Sequence, residues 1–175
     1  GQGVSWPFWW RQDLFRIYKN SPDPLQTLHA QWKGELDEPD WKDACMFPRV
    51  SVIPSLLRLV QLKYLHTAYI TPLKMSRVGL RPSPLCTHCG ESLGHFFHMV
   101  WECLPIQCYW TAIFSELSAI TGLTLEVTPR IALLGILDDC GSRRGDRSLI
   151  GIGTALAKKD IPRVWSAQAP PVIAS

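Results

Sequence analysis

Apolar positions along the chain recur mostly at helical spacing. Leu56, Leu59, Val60, Lys63, Tyr64 and Thr67 share one stripe, which Leu62, Leu65 and Tyr69 widen. That pattern predicts a largely buried helix over 55–70, with Pro54 before it and Ser55 as its N-cap. Thr71-Pro72 closes it and opens a second, short helix through Arg77, which Gly79 ends. Farther on, Pro105 suits a first helical turn. Tyr109, Trp110, Ile113, Phe114, Leu117 and Ile120 then repeat at i, i+3, i+4 and i+7, with Gly122 as the stop. The run 131–137 is apolar but too short to assign to helix or strand. After a Gly- and Arg-rich loop at 141–145, Ser148 is the expected cap of a last helix. Leu149, Ile152, Ala155 and Leu156 should face inward there, and Pro162 should break the helix.

Upstream, Leu25, Leu28, Trp32 and Leu36 also recur at helical spacing, and 37–41 reads as a turn into another short helix. The Trp-Pro-Phe-Trp-Trp patch at 6–10 reads as core or as the scar of a longer chain, with base stacking as the alternative. No internal repeat is present. The expectation is a mostly α protein in three parts. An aromatic and acidic segment, partly helical, covers 1–50. A small helical domain organised around one structural Cys3His zinc knuckle covers 51–140, with its motif at 86–103. A basic helix and Pro-rich tail cover 141–175.

Composition supports a packed core: of 175 residues, 46% are hydrophobic and only 19% charged. The net charge of +3 is modest, so electrostatics must come from placement. Six basic residues (Arg49, Arg58, Lys63, Lys74, Arg77, Arg81) lie between 49 and 81 without an acid, and six more lie between 143 and 163 against two acids. Solvated helix faces explain such blocks as well as a polyanion partner does. No run approaches the ~18 apolar residues of a membrane span, and no basic leader with a long apolar stretch opens the chain, so neither membrane nor secretory signal is expected. The chain does not begin with Met, which suits a fragment.

The six cysteines change the picture more than the charge does. Cys86-Thr87-His88-Cys89 is a Cys-x2-Cys hook followed at once by Gly90. His98 comes nine positions after Cys89, and Cys103 five after His98. Three thiolates and an imidazole within eighteen residues are the ligands that tetrahedral zinc takes. Four protein ligands leave no open position for water, so the site is expected to be structural rather than catalytic. Phe96, Phe97, Met99, Val100 and Trp101 should form its apolar shell. His95, one turn earlier, is an alternative to His98. His88 is expected at the surface, Cys108 in the core, and His29 and His66 as structural histidines. Cys45 and Cys140 carry no signal. Asp138-Asp139 has no third carboxylate nearby and no aromatic-led strand, so no two-metal polymerase site is expected and no endonuclease constellation is seen.

Taken together, Leu62-Lys63-Tyr64-Leu65-His66, Tyr69-Ile70-Thr71-Pro72, Gly79-Leu80, the Cys pair, Phe97-His98-Met99-Val100-Trp101-Glu102-Cys103 and Trp110 resemble the zinc-binding region that follows the reverse transcriptase in LINE-type (non-LTR) retrotransposon polyproteins of vertebrates. The likeness covers about 25–175. It implies zinc on Cys86, Cys89, His98 and Cys103, and a role in RNA binding and particle formation. Arg58, Lys63, Lys74, Arg77 and Arg81 become candidate contacts to RNA or single-stranded DNA. It also implies an upstream polymerase domain as a companion and a cytoplasmic and nuclear setting. The competing expectation is a structural tail that docks on the polymerase or a host protein, through the Trp110 to Ile120 stripe. Thr67, where the family usually has a basic residue, and Pro162, which interrupts the last helix, depart from the family pattern and point to a decayed or domesticated copy.

Overall fold

A computed structural model describes residue 44 and residues 54–137 and 143–165, all within the unit formed by 38–175. The expectations for 1–43, for Cys45 and Cys140, for Asp138-Asp139 and for the tail beyond 165 lie outside these residues. The described part is mostly helical, as the periodicity predicts. Its elements are α1 (Ser55–Leu65), α2 (Pro72–Arg77), a π-helical turn (His98–Glu102), α3 (Leu104–Thr121), α4 (Pro129–Leu134), α5 (Arg144–Asp160) and a 3-10 turn (Ile161–Val164). The only strand-like pairing among the described residues is one antiparallel bridge, Leu85 to Leu93.

Local chemistry sets most of these boundaries. α2 and α4 both open on Thr-Pro: Thr71 Oγ1 accepts from Lys74 N, and Thr128 Oγ1 from Ile131 N, while proline fills a first-turn position where no N–H is needed. α3 and α4 end on Gly122 and Gly135, both at φ +71°, where a glycine avoids the Cβ clash of the left-handed region.

Three boundaries differ from expectation. α1 stops at Leu65, not Ile70, and Pro54 rather than Ser55 is its N-cap. The chain then leaves the helix through Thr67 at φ +46°: Thr67 N donates to Tyr64 O and Ala68 N to Lys63 O, the double bond pattern that ends a helix through a left-handed residue. A β-branched residue is costly there. Lys74 Nζ ties the turn down by donating to the carbonyls of Thr67 (3.2 Å) and Tyr69 (3.3 Å). α5 starts at Arg144, ahead of the expected cap. Arg143 N donates to Asp146 Oδ2, and Ser148 lies inside the helix with its hydroxyl on Arg144 O.

α5 is the central strut, packing on α1, α3 and α4. The core joins Leu57, Val60, Tyr64, Ile106, Trp110, Phe114, Leu117, Leu133, Ile150, Ala155 and Ile161. Gly153 makes the α3–α5 approach close, because a Cβ there would stand 2.6 Å from Leu117 Cδ2. The predicted α3 face holds for Tyr109, Trp110, Phe114 and Leu117, whereas Ile120 is exposed.

The faces of α1 and α5 are rotated from those expected. α1 buries Leu57, Val60, Gln61, Tyr64 and Leu65 and leaves Leu56, Leu59 and Leu62 outside. α5 buries Ile150, Gly151, Thr154, Ala155, Ala157 and Lys158, with Leu149 and Leu156 exposed.

Candidate metal centre

The chain between α2 and α3 folds into a knuckle seated on the helices. Cys86 N donates to Ser92 O and Gly94 N to Pro84 O, which close a short loop whose turn passes through Gly90 at φ +71°. Inside it, Gly90 N bonds back to Cys86 O (2.9 Å) and His88 N points at Cys86 Sγ (3.3 Å). One backbone N–H is thus turned toward the first sulfur, and the tight turn brings the second cysteine of the Cys-x2-Cys pair back beside it.

The other two donors come from the π turn. In an α-helix a residue five positions on has rotated about 140° away. Here Cys103 N bonds to His98 O (3.1 Å), a wider i to i+5 turn that returns Cys103 to the side of His98. Pro105, at the start of α3, then leads the chain away.

The result is a compact donor set. One ligand atom from each of Cys86, Cys89, His98 and Cys103 lies within 4.8 Å of every other. Cys86 Sγ and Cys103 Sγ are 3.8 Å apart, and Cys89 Sγ is 3.4 Å from His98 Nε2. This cluster can hold a metal ion, and it is the one such group among the described residues. His98 turns Nε2 to the sulfurs and Nδ1 toward Glu102 Oε2 at 3.9 Å, an arrangement in which a carboxylate orients the imidazole from behind.

His95, the alternative ligand, is outside the cluster. It is half exposed, accepts from His98 N at Nδ1, and faces Glu102 with Nε2 at 3.5 Å. His88 is not the surface side chain expected: it is half-buried, and neither shielded ring nitrogen has a hydrogen-bond partner. Burial, and then the neighbouring His98, lower its pKa. Cys108, expected in the core, is exposed on α3.

The thiols are not equivalent. Backbone N–H groups, first that of Ser92 and also that of Glu91, together with His98 and Cys86, stabilise the Cys89 thiolate against the opposing effect of burial and bring its pKa down to about 6. Burial, reinforced by Cys86, pushes Cys103 up to about 12. The surroundings thus favour the thiolate at Cys89 and the protonated thiol at Cys103. A bound cation competes with a proton at Cys103, which links metal binding to pH.

The surroundings couple the cluster to the fold. Met99 and Val100 are fully buried and Phe96 nearly so, as the apolar shell requires, while Phe97 and Trp101 are half-buried. Trp110 Nε1 donates to Val100 O (2.8 Å), and the Phe96 ring meets Tyr64 edge-on at 5.6 Å. Thr87, inside the hook, donates its hydroxyl to Trp165 O beyond α5. Gly94 lets the knuckle sit on the start of α2, since a Cβ there would lie 2.7 Å from Pro72 Cβ.

The candidate phosphate contacts are spread over α1, α2 and the strap after it. Arg58 and Arg77 are exposed, and Arg81 is half-buried. Lys63 Nζ stands 5.8 Å over the Tyr69 ring. Lys74 has a structural task in the Thr67 turn, and burial lowers its pKa. Of the aromatic rings near these cations and the knuckle, Phe96 is buried, Trp101 leans on Trp110, and Tyr69 packs between Tyr64 and Trp165. No helix among the described residues is long and apolar enough to cross a membrane. No family model matches the chain.

Proposed function

We propose that the chain is a non-catalytic zinc-binding module that holds nucleic acid, single-stranded RNA in preference, and that it derives from the region after the reverse transcriptase of a LINE-type retrotransposon. The convergence of three sulfurs and one imidazole nitrogen carries the reading. Donors bound at ~2.3 Å (sulfur) and ~2.0 Å (nitrogen) to a tetrahedral zinc sit roughly 3.8 Å apart for two sulfurs and roughly 3.5 Å for sulfur and nitrogen. The observed 3.8 and 3.4 Å fit that geometry, and soft thiolates select zinc over calcium or magnesium. Zinc here would cross-link the hook to the π turn. Cys86, Cys89, His98 and Cys103 fill all four positions, so it would not activate water.

Nucleic-acid binding is supported by the acid-free basic stretch from Arg49 to Arg81 and by the exposure of Arg58 and Arg77. The retrotransposon origin, with an upstream polymerase as companion and a cytoplasmic and nuclear setting, rests on the order of sequence motifs around the ligands. The test is fluorescence anisotropy with a labelled single-stranded RNA across a salt series. Binding is expected to weaken steeply with salt, and Arg77→Ala with Arg81→Ala should lower affinity and make the salt slope shallower by about one per lost contact. Salt-independent binding, or none, would refute it.

A second reading, a tail that docks on protein, is favoured by Leu56, Leu59 and Leu62, which stand outside on α1. The Trp110 stripe cannot serve that purpose, because Trp110, Phe114 and Leu117 are used in the chain's own core. Apolar docking through α1 would be insensitive to salt, which separates the two readings in the same experiment.

A further inference from the structure

Lys158 is 0% exposed, at the centre of the helical core and away from the metal ligands. Its Nζ donates to Gln61 Oε1 on α1 and to Leu133 O on α4 (3.2 Å), and it stands 5.8 Å over the Tyr64 ring. Gln61, also fully buried, returns a bond from Nε2 to the same Leu133 carbonyl (3.0 Å), and Tyr64 donates its hydroxyl to Lys158 O (2.9 Å). Three helices therefore meet at one amine, and among the described residues every acceptor it touches is neutral. The other ionisable groups on the packed elements are Arg58, Lys63 and Tyr64 on α1, Arg130 on α4, Cys108, Tyr109 and the exposed Glu116 on α3, and Arg144, Asp146, Arg147, Lys159 and Asp160 on α5 itself. Asp160 pairs with Arg163 at the surface (3.3 Å). None places a carboxylate against the amine.

We propose that Lys158 is a pH-sensitive latch that ties α5 to α1 and α4, holding them firmly as the neutral amine and loosening them as the ammonium. An ammonium in this position has lost its water and gained no counter-charge, which is the costly way to bury a lysine. Burial alone accordingly brings its pKa from 10.5 down to about 7. For a base whose folded value is depressed, the unfolded chain keeps the proton longer. The penalty is full and constant below about pH 7 and is relieved as pH rises from there toward 10.5. α5 runs on into Trp165, whose carbonyl receives Thr87 of the metal-binding hook, so the latch sits at the root of a strut that also braces the knuckle.

The test uses the full chain. Carbon NMR of lysine Cε, assigned by loss of the signal in Lys158→Met, should show one lysine titrating well below the rest, near neutral pH. Urea unfolding should give a folding equilibrium constant that rises at least about tenfold between pH 7 and 9.5 in the wild type, and a much flatter profile in Lys158→Met. A Lys158 signal titrating near the ordinary 10.5 would overturn the proposal. So would parallel pH profiles for the two proteins. If Lys158→Met fails to fold, a near-neutral titration of one lysine in the wild type still supports the latch, and its absence still refutes it.

Discussion

Gly94 shows how much a single position decides. It lies eight residues past Cys86, and the space for its missing Cβ is already filled by the Pro72 ring. Proline cannot swing aside as a leucine tip can, so Gly94→Ala forces the knuckle off α2. The expected cost is about 1–3 kcal/mol, the usual range for overpacking, read as a lower urea midpoint with metal bound. Gly90→Ala meets open space but keeps φ at +71°, and should cost about 1 kcal/mol from backbone strain alone. The four residues whose donor atoms converge were legible one by one, because thiolate and imidazole at fixed spacing have few other uses. The preference for His98 over His95 also agrees with the cluster, and the π turn supplies a physical reason for it that spacing does not announce. Cys108 was misjudged: free cysteines are usually buried, and only the phase of α3 places this one outside.

At the scale of elements, the caps and stops made by Thr-Pro and glycine were easier to read than the helix faces. Thr71-Pro72, Pro105 and Gly122 act as local chemistry dictates. α1 carries leucines on every side, so several stripes compete, and the true one includes Gln61. A glutamine is buried there because Lys158 and Leu133, 97 and 72 positions away, satisfy it. α5 buries small and polar residues against α3 and α1 for the same tertiary reasons, which hydrophobic periodicity misses. The rotated register makes a direct prediction. Leu57→Ala should cost about 2–5 kcal/mol by leaving a core cavity, whereas Leu56→Ala, on the exposed side, should stay within about 0.5 kcal/mol of wild type. Equal losses, or the reverse order, in matched urea titrations would put α1 in the register that its leucine stripe first suggests.

For the molecule as a whole, the candidate metal centre is tied into the helical core by side chains from three directions. Phe96 lies against Tyr64 on α1, Trp110 on α3 holds Val100 in the π turn, and the residue after the last turn holds Thr87 in the hook. Burial raises Cys103 and crowds it against Cys86, so the donor set without a cation concentrates buried polar groups that water cannot reach. Removing the ion should therefore loosen helices well beyond 86–103, not just the loop. The most direct measurement is metal content of the purified chain, wild type beside Cys86→Ser, with far-ultraviolet circular dichroism before and after a strong chelator. One equivalent of zinc per chain is expected, absent from the variant, with helical signal falling when the chelator removes it. A chain without bound metal whose helical signal ignores both the chelator and the substitution would contradict the zinc-organised domain at its root.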